Sequence, residues 1–250
     1  MKKTIKTSDD RSTTEDFFKE MTSEQLADFV KNSPKKTIIK GVVKTKGKVD
    51  FKNLRAVGNR GLYFVTGDKK DFFATIKQNG KKIVDFFYEC SCANSGVGLM
   101  DLSTTKARIE PYGVVRQNTF IDDTAVVMNG AVLNVGCKIG KKTMVDMNAV
   151  IGSNAQIGDF CHIGAGAVIA GVLEPIGATP VVVENNCLIG ANSVILEGCR
   201  VGNNSVVGAG AVVTKDVPPN SVALGCPAVI KKRVDSETLS KTQQNQKLYQ

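Results

Sequence analysis

The 250-residue sequence has no tryptophan and only one histidine, and aromatic residues make up 6% of it. A core without large rings has to be built from aliphatic and small side chains, and Val, Ile, Ala and 24 glycines supply them here. The single histidine, His162, excludes zinc sites that need two or three imidazoles. We therefore expect no metal centre.

Long apolar runs are absent too. No stretch of 18 apolar residues is present, so no transmembrane helix or membrane partner is predicted. The first ten residues lack the apolar middle of a signal peptide. Residues 1–14 are predicted to be a disordered tail because they contain Asp9 and Asp10, although their Ser, Thr and Lys content leaves a targeting segment open. Without a secretory signal, the seven cysteines are expected to be free thiols in a reducing cytoplasm.

Basic residues are in excess, with 33 Lys and Arg against 24 Asp and Glu, a net charge of +9. Most of the excess lies in residues 1–106, which carry 21 basic and 13 acidic side chains. Such a charge can attract a polyanion. No nucleic-acid recognition motif accompanies the lysines, however, so no nucleic-acid partner is predicted.

An aliphatic residue recurs at every sixth position over more than 100 residues. The series is Ile109, Val115, Ile121, Val127, Leu133, Ile139, Val145, Ile151, Ile157, Ile163, Ile169, then, after an eight-residue insertion, Val183, Ile189, Ile195, Val201, Val207 and Val213. A small residue usually follows four positions later. A period of six fits short parallel strands joined by tight corners, with three hexapeptides closing one triangular coil.

The predicted fold class is therefore mostly β: a parallel β-helix of hexapeptide repeats, with a small N-terminal α/β domain and a short C-terminal helix or tail. The expected boundaries are 15–104 for the α/β domain, 105–217 for the β-helix with an insertion loop at 175–182, and 218–250 for the C-terminal extension. Four cysteines fall on the small inward position and are predicted to be apolar filler: Cys137, Cys161, Cys187 and Cys199.

The α/β domain is predicted from local signals. Thr22 and Gln25 form a capping box that starts a helix reaching about Lys31, and Asp68 is expected to cap a second helix that ends near Asn79. Alternating apolar residues predict strands at 37–44, 62–66 and 83–89.

The repeat resembles that of the hexapeptide acyltransferases, whose β-helix is left-handed. This resemblance implies a homotrimer that binds acetyl-CoA as co-substrate in grooves between subunits. Segments 217–220 and 225–228, after the last coil, look like the CoA-end signature of that family.

Five segments, 107–111, 130–134, 143–149, 161–168 and 171–175, resemble the tetrahydrodipicolinate N-acetyltransferases. The resemblance implies acetylation of the amino group of ring-opened 2,3,4,5-tetrahydrodipicolinate to N-acetyl-2-amino-6-oxopimelate, a step of diaminopimelate and lysine biosynthesis. Asn148 and Val194 differ from the succinyl-transferring relatives. Asn129 and the pair Ser153-Asn154 depart from the acetyl-transferring pattern.

Four other functions are compatible with parts of this sequence. A succinyl-transferring relative, another hexapeptide acetyltransferase acting on a sugar or serine, and a catalytically decayed trimeric scaffold stay open. A γ-type carbonic anhydrase shares the coil but needs three histidines, so the lone histidine argues against it.

Two titratable residues flank inward positions on adjacent coils. Side chains beside an inward residue point outward, so Asp146 and His162 are expected on the outer surface, diagonal to each other and about 8 Å apart. We predict that they are the catalytic residues, with Asp146 orienting or deprotonating the amine. The alternative for His162 is a hydrogen-bonded surface or trimer-interface histidine.

Other residues are candidates for binding the dicarboxylate substrate and CoA. Arg108 and Arg116 can pair with carboxylates, Glu174 precedes a loop expected to reach a neighbouring subunit, and Asn148 belongs to the family motif. The glycines that follow inward residues are expected to leave bare backbone for pantetheine. The predicted CoA-binding residues are Gly164, Gly190, Ala191, Gly208, Ala209, Lys215, Pro227 and Ala228.

Overall fold

The computed structural model describes residues 22–59, 61–175 and 177–249, so the expectations for residues 1–14 lie outside it. The described chain forms two compact units. The smaller unit is Val30–Val97, and the larger contains the described residues up to Phe29 and from Gly98 onward. Within the described residues, no helix is long and apolar enough to cross a membrane.

The smaller unit is a four-stranded antiparallel sheet with one helix on it. Helix α1 (Ser23–Asn32) comes first along the chain. It is followed by β1 (Ile38–Thr45), β2 (Arg55–Asn59), β3 (Leu62–Asp68), α2 (Lys69–Gln78) and β4 (Ile83–Cys90). The strands lie in the order β2-β3-β1-β4 in the sheet.

The helix starts follow the predicted capping. Gln25 N–H donates to Thr22 Oγ1, and the Gln25 side chain accepts from Thr22 N–H at 2.8 Å, which is the reciprocal pattern of a capping box. Asp68 accepts from Lys70 N–H at the start of α2, and Asn79 is the C-cap. Strand β2 was not predicted, because its sequence RAVGN is short and contains a glycine, and its identity as a strand comes from pairing with β3.

The larger unit is the predicted β-helix. Its strands form three sheets of eight, five and six strands. The two-residue strands of the coils are β5 (Arg108–Ile109), β6 (Val114–Val115), β7 (Phe120–Ile121), β8 (Val126–Val127), β9 (Val132–Leu133), β10 (Lys138–Ile139), β11 (Met144–Val145), β12 (Val150–Ile151), β13 (Gln156–Ile157), β14 (His162–Ile163), β15 (Val168–Ile169), β16 (Val182–Val183), β17 (Leu188–Ile189), β18 (Val194–Ile195), β19 (Arg200–Val201), β20 (Val206–Val207) and β21 (Val212–Val213).

The repeat residues stack in parallel register and form the core. Val145 pairs with Val127 and Ile163, and Ile163 pairs in turn with Ile189. The insertion between β15 and β16 therefore enlarges one corner and does not shift the coils. The second residue of each strand from β6 to β21 is buried in one continuous cluster, as are the four cysteines on the small position.

Two kinds of corner residue close each coil. Residues such as Asn154 and Asn192 have φ near +55°, where Asn is tolerated better than most residues. Asn154 therefore suits the conformation of its corner. Glycines such as Gly152 and Gly190 are needed for another reason: a Cβ on either would lie within 2.4 Å of the backbone of the next coil.

The C-terminal end of the eight-stranded sheet is closed by a different pairing. Strand β22 (Ser221–Leu224) continues the parallel register of β20, and β23 (Val229–Arg233) pairs with β22 in antiparallel orientation. Helix α3 (Ser236–Thr242) and a 3-10 turn, Gln246–Tyr249, follow. The extension is thus a short helix that continues into an ordered segment packed on the β-helix.

Candidate active site

Asp146 and His162 lie together on the outer surface of the eight-stranded sheet. His162 begins β14, and Asp146 directly follows β11, the neighbouring strand. His162 Nε2 lies 3.8 Å from Asp146 Oδ2, and the two side chains are 29% and 23% exposed. The predicted pairing is present. The separation of about 8 Å was expected from strand spacing and rise along the backbone, and the side-chain atoms approach more closely because the two side chains lean toward each other across the strand gap.

Hydrogen bonds hold the carboxylate in this orientation. Asp146 Oδ1 accepts from Met147 N–H at 2.7 Å, and Asp146 N–H donates to Ile163 O at 2.8 Å, within the coil ladder. Because Oδ1 is engaged, Oδ2 is the oxygen that faces His162. The distance between Oδ2 and Nε2 is too long for a good hydrogen bond. A donor group of a ligand could therefore contact both atoms.

Two opposing effects act on the imidazole. Burial lowers the pKa of His162 below its usual 6.5, and the negative charge of Asp146 acts in the opposite direction without cancelling it. The neutral form therefore predominates at pH 7. A neutral imidazole can accept a proton from an amine.

The C-terminal segment covers part of this surface, which the sequence did not reveal. Tyr249 is buried against Val126 and Met144, and the Gln244 side chain donates to Phe160 O at 2.7 Å. A cavity of about 210 Å³ lies between this segment and the sheet, with His162 in its wall. Burial raises the pKa of Tyr249, and the nearby Cys161 and Asp146 add to the rise. Only the isolated Leu248-Tyr249 pair hinted at this contact.

The glycine column does not provide the bare backbone that was expected. The amides of Gly164, Gly190 and Gly208 donate to Ile189, Val207 and Ala223, and their carbonyls accept from the corner residues three positions on. Both polar groups of each glycine are thus used inside the coils. Gly164 and Gly190 are present because the backbone of the next coil leaves no room for a Cβ, whereas the atom close to Gly208 belongs to the end of the Leu224 side chain, which can move.

Free amides occur one position later. Within the part of the chain that the structure describes, no carbonyl accepts from the amides of Ala165, Ala191 or Ala209. Ala191 and Ala209 belong to the predicted CoA-binding set, and Ala165 was missed. These three positions repeat at the same corner of successive coils, so they form a line of donors beside the Asp146–His162 pair.

The remaining candidates for substrate and CoA binding occupy several parts of the β-helix and its insertion loop. Arg108, on β5 of the same sheet, places Nε 3.4 Å from Glu110. Arg116 follows β6, in the six-stranded sheet, and donates to Asn134 Oδ1 at 3.3 Å. Glu174 is exposed in the insertion loop, and Asn148 is an exposed corner residue with φ +58°. Lys215 and Pro227 are exposed and Ala228 half-buried at the C-terminal end of the coils.

The described residues contain no group of three or more His, Cys, Asp and Glu side chains that could hold a metal ion. The cysteines of the β-helix are separated from the surface pair: Cys161 Sγ donates to Glu184 O and Cys187 Sγ to Gly202 O, both inside the coils.

Comparison with known proteins gives the family. Residues 21–102 match the family model of the tetrahydrodipicolinate succinyltransferase N-terminal region. Residues 136–171 match the bacterial transferase hexapeptide model, and residues 180–215 match the hexapeptide repeat of succinyl-transferase.

Curated relatives match nearly the whole chain. The 2,3,4,5-tetrahydropyridine-2,6-dicarboxylate N-acetyltransferase of Halalkalibacterium halodurans is 46% identical over 233 residues, covering 92% of this chain and 97% of the relative. The chain belongs to this N-acetyltransferase family. The Bacillus subtilis member is 43% identical over 93% of this chain and 99% of its own length. The expected enzyme class, an acyltransferase that transfers acetyl groups to nitrogen, is confirmed by these relatives.

Solved structures match about half of this chain. The acetyltransferase domain of PglB from Neisseria gonorrhoeae, in complex with acetyl coenzyme A, is 24% identical over 50% of this chain and 55% of its own, with a TM-score of 0.42. Perosamine N-acetyltransferase from Caulobacter crescentus is 25% identical over 48% of this chain and 56% of its own, with a TM-score of 0.39. The family assignment does not depend on them.

Proposed function

We propose that this N-acetyltransferase transfers the acetyl group of acetyl-CoA to the amine of ring-opened 2,3,4,5-tetrahydropyridine-2,6-dicarboxylate, at the Asp146–His162 pair. The observation that supports this site is the 3.8 Å approach of the two side chains on an outer face. The family relation supports the substrate.

The reaction needs a neutral, oriented amine and a place for its proton. Water opens the cyclic imine to the amino ketone, and the amine nitrogen then attacks the thioester carbonyl carbon. The C–N bond forms, the C–S bond breaks, and CoA leaves as the thiolate. We assign orientation of the amine to Asp146 Oδ2, and acceptance of its proton to His162 Nε2, whose neutral state is favoured by burial. The thiolate takes up a proton as CoA departs.

The line of free amides fits the donor side of the reaction. The amides of Ala165, Ala191 and Ala209 can donate to the carbonyl groups of an extended pantetheine or to the oxyanion of the thioester. This assignment replaces Gly164, Gly190 and Gly208 as backbone donors. Lys215, Pro227 and Ala228, at the C-terminal end of the coils, stay candidates for the nucleotide part of CoA.

The substrate carboxylates need cations that the central pair does not provide. Arg108 lies on the same sheet and Arg116 on another, and Glu174 is exposed in the insertion loop. We propose that the enzyme is a homotrimer in which Arg116 and Glu174 approach the site of a neighbouring subunit. A cytoplasmic location accords with the biosynthetic role of the family.

The test is a CoA-release assay with acetyl-CoA and the dicarboxylate on wild type, Asp146→Asn and His162→Asn. We expect kcat to fall by about 10²–10⁴ in each variant. Lys142→Gln, a change at a neighbouring corner, serves as the control. CoA release that does not depend on the dicarboxylate would refute the substrate assignment. A kcat of His162→Asn within about twofold of wild type would assign the proton to Asp146 instead.

Succinyl-CoA tests the alternative donor. The N-terminal family model is named for succinyl transfer, whereas the curated relatives carry the acetyl name. We expect kcat/KM for acetyl-CoA to exceed that for succinyl-CoA.

A further inference from the structure

The sheet of the smaller unit has one covered face and one open face. Helix α2 packs on the covered face, where Ile39, Val43, Val65 and Phe72 are buried. Because side chains alternate along a strand, the residues between those on β1 and β3 point the other way. The open face is defined here as the side of this sheet that bears Val42, Phe64 and their neighbours in register.

An apolar row crosses the open face from edge to edge. Val57 on β2 pairs with Phe64 on β3, Phe64 with Val42 on β1, and Val42 with Phe87 on β4. Val57, Phe64 and Phe87 are 66%, 68% and 61% exposed. Four apolar side chains in one exposed row are unusual for the solvent side of a sheet, where polar residues are expected.

A polar row and a mixed row flank the apolar one, and the charges differ between their two ends. The first row is Arg55, Thr66, Lys40 and Glu89, in the order of the strands. The second is Asn59, Leu62, Lys44 and Asp85. A cation thus lies at the β2 edge of the first row, and an anion lies at the β4 edge of both rows.

We propose that the open face packs against the open face of a second copy of this chain, with a two-fold axis parallel to the strands. Rotation about that axis exchanges the two edges of the sheet. Arg55 of one copy then faces Glu89 of the other, twice. In the apolar row, Phe87 meets Val57 and Phe64 meets Val42, so a large side chain always lies against a smaller one.

The charges select this arrangement over its alternative. A two-fold axis perpendicular to the strands would place Lys40 against Lys44 and Glu89 against Asp85, pairing like charges. The axis along the strands avoids these like-charge pairs and brings Arg55 to Glu89, as an isologous contact requires of a self-complementary patch. In the second row it places Asn59 against Asp85 and Leu62 against Lys44, so the match rests on the first row and on the apolar row. These two rows favour a second copy as the occupant.

The area of the open face indicates how tightly two copies can associate. Four strands about 4.8 Å apart, each contributing five residues about 3.4 Å apart, give a footprint of about 300 Å² per copy. Stable interfaces bury about 800 Å² per partner. We therefore expect a concentration-dependent association. If copies are already joined through the β-helix, several such faces act together and strengthen it.

The test is the molar mass of the full-length protein by sedimentation equilibrium over a range of concentrations. We expect the mass of wild type to rise to at least twice that of Phe64→Lys. Phe64 is largely exposed, so this variant should keep the wild-type circular dichroism spectrum. Equal masses for the two proteins at every concentration would overturn the proposal, and a different occupant of the face would give that same result.

Charge reversal at the edges of the sheet gives a more specific test of the same association. We expect Arg55→Glu and Glu89→Arg each to weaken the association by at least about tenfold, because each change brings like charges together. The double variant Arg55→Glu/Glu89→Arg should restore it. The matched control is Lys77→Glu on α2, across the sheet, which should behave as wild type. Single variants without effect, or a double variant that stays dissociated, would contradict the proposal.

Discussion

His162 is the one residue in the chain that titrates near neutrality by nature, and its surroundings act on it in two directions. Burial lowers its pKa, and Asp146, 3.8 Å away, raises it. The outcome decides whether the imidazole is neutral, and so able to accept a proton, at the pH where the enzyme works.

The first prediction concerns that pKa. In untagged protein the lone histidine gives a single set of imidazole signals, and its NMR titration should show a pKa below 6.5. In Asp146→Asn the pKa should fall further, since the negative charge that favours the imidazolium is gone. A value at or above 6.5 in wild type, or no change in the variant, would contradict the assignment.

The second prediction concerns the seven cysteines. Cys90, Cys92 and Cys226 are exposed, and the other four are buried. Burial raises the pKa of Cys137 to about 12, and the neighbouring Cys187 together with burial raises that of Cys161. We expect three thiols to react rapidly with Ellman's reagent in the folded protein and seven after denaturation. Rapid labelling of Cys161, located by mass spectrometry, would contradict the inward placement.

At the scale of elements, the C-terminal 3-10 turn covers part of the surface that holds His162, since both line the same cavity. Tyr249 packs on Val126 and on Met144, and Met144 lies on β11, the strand that Asp146 follows. We therefore expect the turn to limit the solvent exposure of His162 without contacting the substrate.

The third prediction follows from this contact. Tyr249→Ala should expose His162 and move its pKa upward, toward 6.5, because the burial that lowers it is reduced. The histidine titration measures the shift. Lys247→Ala, at an exposed position of the same turn, is the control and should leave the pKa unchanged. An unaltered pKa in Tyr249→Ala would show that the turn does not shield the site.

The fourth prediction concerns the corners of the coils. A Cβ at Gly190 would lie 2.4 Å from Ala209 N, so Gly190→Ala has to push two coils apart. Overpacking of this kind costs about 1–3 kcal/mol. Gly80→Ala, where the nearest atom is 3.7 Å away, should be nearly neutral. Thermal unfolding of the two variants compares them, and equal midpoints would refute the packing explanation for the glycine column.

At the scale of the whole molecule, the protonation of His162 couples to stability. Because its pKa is lower in the folded state, the unfolded chain binds the extra proton first as pH falls. The contribution of the neutral imidazole is therefore present above pH 6.5 and is lost below it.

The fifth prediction is the resulting pH dependence. Between pH 7.5 and 5.5 the unfolding temperature of wild type should fall by more than that of His162→Gln, which has no such group. Other groups titrate equally in both proteins, so the difference between the two decreases in unfolding temperature is due to His162. Equal decreases in the two proteins would mean that folding does not lower the pKa of His162.

The features of the fold and of the candidate site that can be predicted from the sequence are those that follow from its six-residue period. The six-residue repeat fixed the register of every coil, including Ile163 against Ile189 across the insertion, because inward positions tolerate only aliphatic or small residues. It also placed Asp146 and His162 on adjacent strands. Their separation, the role of the glycines and the covering by Tyr249 depend on side-chain direction and on contacts distant in sequence, which no local pattern encodes.

A stack of parallel coils has ends at which backbone groups could pair with another chain, and nothing in the repeat itself limits its length. Strand β23 occupies one such end of the eight-stranded sheet in antiparallel orientation. Its last three residues, Lys231, Lys232 and Arg233, are all exposed. Charged edge strands discourage further pairing. This end is therefore unfavourable for pairing with another chain, which is a hazard of any fold that extends by stacking similar strands.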